Sequence, residues 1–130
     1  MTVIVVAMGV VAVVAAQGEV TTISAHPGFR EQVKALTGGR GADVIFDPVG
    51  GDVFDESTRC IAWGGRLLVV GFASGRIPSI SVNMPLIKGF SVVGVRAGEY
   101  GRRNPAAGAE NIRTIDRLAS EGVFRPHICA

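Results

Sequence analysis

The stretch from Gly41 to Gly75, GADVIFDPVGGDVFDESTRCIAWGGRLLVVGFASG, most narrowly limits what this chain can fold into. It reads as strand, turn, helix, turn, strand, with glycine at every joint. Ala42 to Phe46 is a short apolar run carrying β-branched Val44 and Ile45, closed by Asp47-Pro48. Pro48 has no N–H for a ladder, so the strand stops there. Val49-Gly50-Gly51 permits a tight turn, and Asp52 stands where an N-cap carboxylate would accept an orphan N–H. The spacing predicts a helix over Val53 to Trp63, with Phe54, Thr58 and Ile61 on one face and Gly64-Gly65 ending it. Arg66 to Val70 is the next strand. Its apolar LLVV core suits burial on both faces of a parallel sheet, and Gly71 to Gly75 closes the unit. A βαβ crossover follows, and with it an α/β domain.

D-P-V-G-G after one strand and V-G-F-A-S-G after the next are a far more specific pair than a lone glycine motif. Through them the segment GGRGADVIFDPVGGDVFDESTRCIAWGGRLLVVGFASGRIPSI resembles the nucleotide-binding domain of zinc-independent medium-chain dehydrogenase/reductases, in the NADPH:quinone oxidoreductase-like branch. The similarity extends from about Phe29 to His127. The resemblance implies a Rossmann-like parallel sheet with flanking helices, and NADPH as cofactor. It also implies a small-molecule quinone or enone as substrate.

Length and composition fit one such domain. The chain has 130 residues, 48% of them hydrophobic and 18 of them glycine, which suits a turn-rich α/β domain and not a disordered chain. Its net charge of +2 is spread without a polybasic run, so neither nucleic acid nor an anionic membrane is an expected partner. Cys60, placed mid-helix, and Cys129, near the C-terminus, have no C-x-x-C partner. Neither a disulfide framework nor a metal site is expected, and a reducing, cytoplasmic setting is the default. Cys60 reads as a small packed residue.

The first residues are harder to place. Val3 to Ala16 is an apolar run shorter than a bilayer span and has no Lys or Arg ahead of it, as a signal peptide would. A membrane span, a signal peptide and a buried strand, alone or followed by a helix, remain open. Relatives carry a first strand here, then G-x-x-G-x-V-G, whose backbone N–H groups and helix N-terminus face the cofactor pyrophosphate. In this chain Ala7-Met8-Gly9-Val10-Val11 stands in its place, and the fingerprint is absent. The expected architecture is thus partial, the second half of a dinucleotide-binding domain. The 130 residues are expected to form a single partial domain, without the family's catalytic domain.

Val20 to Ala25 reads as a strand, and His26, beside Pro27-Gly28, as a loop residue. Phe29 to Leu36 is a short amphipathic helix. Asn83 caps a short helix over Met84 to Lys88, and Phe90 to Val95 is a third strand. Arg96 to Pro105 reads as a polar loop. A helix over Ala106 to Glu121 should turn Ile112, Ile115 and Leu118 or Ala119 to the sheet, with Arg117 and Glu121 paired at i,i+4. Apolar Phe90 to Val95, late in the chain, is expected at a sheet edge that joins two copies in a homodimer.

Ligands of open α/β sheets sit beyond the carboxyl ends of the strands. Carried over from the resemblance, the cofactor-binding candidates are Pro48, Val49, Gly50, Gly51, Gly71, Phe72, Ala73, Ser74 and Gly75. The alternative is that these glycines serve the turns alone. Asp47 reads as a turn-capping carboxylate and Arg102-Arg103 as a solvated pair. No residue stands out as catalytic. Two functions follow: a fragment or relative of an NADPH-dependent quinone oxidoreductase, weakly active or inactive alone, or a non-enzymatic truncated or assembly module that keeps the fold without the site.

Overall fold

The computed structural model describes residues 11–16, 19–24 and 28–123, with side-chain burial from residue 28 onward. Val3 to Ala7, His26, His127 and Cys129 lie outside these residues. The elements are β1 (Val11–Ala16), β2 (Glu19–Ser24), α1 (Phe29–Leu36), β3 (Ala42–Asp47), α2 (Gly51–Cys60), β4 (Ile61–Val69), α3 (Asn83–Lys88), β5 (Ser91–Gly94), α4 (Ala97–Arg103) and α5 (Pro105–Ser120). They divide into two compact units, Met1–Val95 and Arg96–Ala130.

The first unit holds a five-stranded sheet in the order β2-β1-β3-β4-β5. Strands β3, β4 and β5 are parallel neighbours, as strand–helix alternation requires. Ile45 faces Leu67 and Leu67 faces Val92, and both Ile45 and Leu67 are fully buried. Phe29 and Val33 of α1 and Val53 and Phe54 of α2 complete one core cluster with them. Each such side chain contributes about 2 kcal/mol by leaving water, more than any ion pair on this surface.

The helix–strand boundary differs from expectation. α2 ends at Cys60, and Ile61 is already extended with φ −73 and ψ 141. Burial decides this, since Ile61 and Ala62 enter the sheet beside Ala42. Gly64-Gly65 does not end the helix. It lies inside β4, where the register shifts between Ala42 and Val44 and Gly64 takes φ +74. Trp63, expected in the helix, is solvent-exposed and lies against the bare Cα of Gly89. The C-terminal turn of α2 is finished by Lys88 Nζ, which donates to the Thr58 carbonyl at 2.7 Å.

Strands β1 and β2 form an antiparallel hairpin, and β1 also runs antiparallel to β3, with Val13 facing Phe46 and Ala15 facing Val44. The second half of the apolar N-terminal run is therefore a strand lying between two others.

In the second unit the expected loop over Arg96 to Pro105 contains α4. Glu99 pairs with Arg102 at 3.0 Å and Arg103 at 2.9 Å, tying its turns together. A Cβ on Gly108 would stand 3.0 Å from the Cα of Gly101, so α4 and α5 approach through bare backbone. Pro105 opens α5, the position that tolerates it, and Arg117 meets Glu121 at 2.8 Å as expected. Ile112 and Ile115, expected to be buried, are exposed.

Candidate functional site

The carboxyl ends of β3 and β4 lie side by side, and the chain leaves them in two loops, 48–50 and 70–76. Asp47 ties them. Its carbonyl accepts the N–H groups of Val70 at 3.0 Å and Gly71 at 3.4 Å, and its Oδ1 accepts those of Val49 and Gly50, both at 2.9 Å. The carboxylate therefore caps the turn as expected. It is almost fully buried, and burial pushes its pKa up against the opposing pull of the two N–H bonds.

The loops then zip to one another. Ala73 N–H donates to Pro48 O at 3.1 Å, Ser74 N–H to Val49 O at 3.0 Å, and Gly51 N–H to Arg76 O at 3.1 Å. Such closeness requires glycine. A Cβ on Gly50, whose φ is +67, would stand 2.9 Å from the Phe72 ring, and one on Gly51 would stand 2.7 Å from Ser74 Oγ. Arg76 fastens the outside, donating to Asp52 at 2.8 Å and to Asp55 at 2.6 Å. These contacts span 24 and 21 residues, and no local pattern announces them. Asp52 is thus not the N-cap. Gly50 takes that place without a side-chain cap, because the left-handed backbone there leaves the Asp52 carboxylate in solvent beside Arg76.

The fold brings Pro48, Val49, Gly50 and Gly51 together with Gly71, Phe72, Ala73 and Ser74. Gly75, with φ +81 and open space where a Cβ would stand, turns the chain toward Arg76. A dinucleotide's pyrophosphate needs backbone N–H donors that are still free. Those of Val49, Gly50, Gly51, Gly71, Ala73 and Ser74 are spent within the chain, and Asp52 sets a negative charge in the first turn of α2. These six donors are not open to a phosphate group.

Cys60 is buried at the end of α2, where desolvation raises its thiol to about 11 and keeps it protonated. Arg102 and Arg103 are held by Glu99. Among the described residues no cluster of His, Cys, Asp or Glu has the makings of a metal site, and no helix is long and apolar enough to cross a membrane.

A parallel βαβ sheet with loops gathered at its carboxyl end defines a Rossmann-like domain. The family model described as zinc-binding dehydrogenase matches residues 2–116, and the chain belongs to that family. Quinone oxidoreductase-like protein 2 homolog of Nematostella vectensis is 41% identical over 103 residues, 78% of this chain and 28% of that protein. A Bacillus thuringiensis structure assigned as an NADPH:quinone reductase superposes with TM-score 0.65 at 25% identity, covering 74% of this chain and 29% of the other. Mycobacterial Rv1454c, solved complexed with NADPH, gives 0.61 at 28% identity over 72% of this chain and 29% of its own. The chain spans 28% of the length of the curated relative.

Proposed function

We infer that the chain descends from an NADPH-dependent oxidoreductase moving hydride from nicotinamide to a quinone or enone, and that these residues are part of its nucleotide-binding domain. The paired loops at the carboxyl ends of β3 and β4, in a member of this family, carry the reading. Pro48 to Gly51 are assigned to the ribose side and Gly71 to Gly75 to the nicotinamide side.

Alone, the chain binds the cofactor weakly or not at all. Six of the loop N–H donors are spent, and the hairpin strand β1 runs antiparallel to β3. These two observations equally favour the second reading, a non-enzymatic module that retains the fold. A titration of the purified chain, followed by nicotinamide fluorescence, tests both. The expected result is binding much weaker than low micromolar, about −8 kcal/mol, and quinone turnover no faster than a no-enzyme control. Low-micromolar binding overturns the first part, and turnover overturns the second.

We also propose a homodimer joined along Phe90 to Val95. Among the described residues β5 is an edge strand of the sheet, with Val92 and Val93 exposed. An apolar edge left open invites pairing with another strand. Val93→Lys should shift the sedimenting species toward monomer, whereas a wild-type monomer at tens of micromolar rejects the dimer. A reducing, cytoplasmic setting accords with the free, buried thiol of Cys60.

A further inference from the structure

We propose that Asp47 is a buried, pH-sensitive latch: the two loops at the carboxyl ends of β3 and β4 close more tightly when its carboxyl is protonated and open more readily when it is charged. The inference rests on the same loops as the proposed function but on no ligand.

Asp47 holds both loops, its carbonyl holding Val70 and Gly71 and its Oδ1 holding Val49 and Gly50. Its side chain is cut off from water, and a carboxylate so placed needs a cation to offset lost hydration. Among the described residues the neighbouring elements supply none. β1 is built from valine and alanine alone. Arg66 on β4 stands opposite Val44, three residues away along β3. On α2, Asp52 and Asp55 are paired with Arg76, and Glu56 with Arg30 and Arg59. Two N–H donors stabilise the charge, but desolvation outweighs them, so the closed state holds its proton to higher pH than an exposed aspartate does.

The sign follows from linkage. In an opened rim Asp47 is solvated and titrates near its ordinary value, while in the closed rim it titrates higher. The closed form therefore binds more protons between the two values, and raising the pH through that window favours opening. Above the window the bias stays constant.

Amide hydrogen exchange by NMR on the full chain, corrected for intrinsic rates, reads this directly. Protection at Val49, Gly50, Ala73 and Ser74 should fall together as pH rises, about tenfold per pH unit within the window, and then level off. Asp47→Asn keeps an Oδ1 acceptor without the charge. Its protection should be flat across that range and match or exceed the wild type at neutral pH. A wild-type profile independent of pH overturns the proposal, as does the same fall in Asp47→Asn, or a fall confined to Val49 and Gly50. Should Asp47→Asn fail to fold, the carboxyl 13C shift of wild-type Asp47 decides. Titration above the ordinary aspartate value supports the latch, and titration at or below it refutes it. Nicotinamide is absent throughout, so the outcome is separate from that of the cofactor titration.

Discussion

The crossover from Ala42 to Val69 and the hairpin from Val11 to Ser24 belong to one sheet but are built by different rules. In the crossover, local signals and long-range packing agree. β-branched runs make the strands, glycine and proline end them, and α2 carries the chain across so that β3 and β4 lie parallel. In the hairpin, apolar content is high, but nothing in Val11–Ala16 selects strand over helix. Pairing partners decide it, since β1 is flanked by β2 on one side and β3 on the other. Val13 to Ala15 have strand neighbours on both sides, where their backbone N–H and carbonyl groups find ladder partners. The consequence bears on function. Because β1 is antiparallel to β3, its amino end lies beside Asp47 and its carboxyl end at the far side of the sheet. The parallel switch point that seats a dinucleotide is not formed between these two strands.

Five substitutions probe that contrast, beginning with the largest effect. Ile45→Ala in β3 empties a fully buried position and should cost about 4 kcal/mol in urea denaturation. A loss below about 1 kcal/mol would mean that the crossover is not the core. Val14→Pro interrupts β1 between Thr21 and Ile45 and should cost about 3 kcal/mol, because a central strand has no room for a missing donor. If it proves nearly neutral, β1 is not an interior strand and the contrast collapses.

Gly41→Ala and Gly64→Ala separate crowding from conformation. Both glycines have positive φ, +93 and +74. A Cβ on Gly41 would stand 2.6 Å from the Cys60 carbonyl, whereas Gly64 has open space around it. Gly64→Ala should lower stability by about 1 kcal/mol for the left-handed backbone alone, and Gly41→Ala by clearly more. Equal losses would show that the close approach of Gly41 to the end of α2 is not rigid. Arg76→Ala, last, breaks only exposed pairs with Asp52 and Asp55 and should cost less than about 1 kcal/mol, fading in high salt. A larger, salt-independent loss would make Arg76 a structural part of the loop pair.

The sequence by itself determined the crossover, the strand at Ala42, the amphipathic helix at Phe29, the edge strand at Ser91 and the long helix that Pro105 opens. Each is written in neighbouring residues, as periodicity, a β-branched run, or a proline or glycine at a boundary. It also marked the two loops as partners in one place, through the D-P-V-G-G and G-F-A-S-G motifs. The tertiary structure decided what depends on residues far apart in the chain. Gly64-Gly65 reads as a helix stop after Trp63, yet burial of Ile61 and Ala62 against Ala42 ends α2 at Cys60, three residues earlier. Asp52 has the chemistry of an N-cap, but the left-handed Gly50 and the distant Arg76 place it elsewhere. That Gly50 and Gly51 make room for Phe72 and Ser74 of the opposite loop shows only once the backbone is brought within about 3 Å. Local conformational preference is a property of a few consecutive residues, whereas strand neighbours, burial and the spending of hydrogen-bond donors are properties of contacts that exist only once the chain has closed on itself.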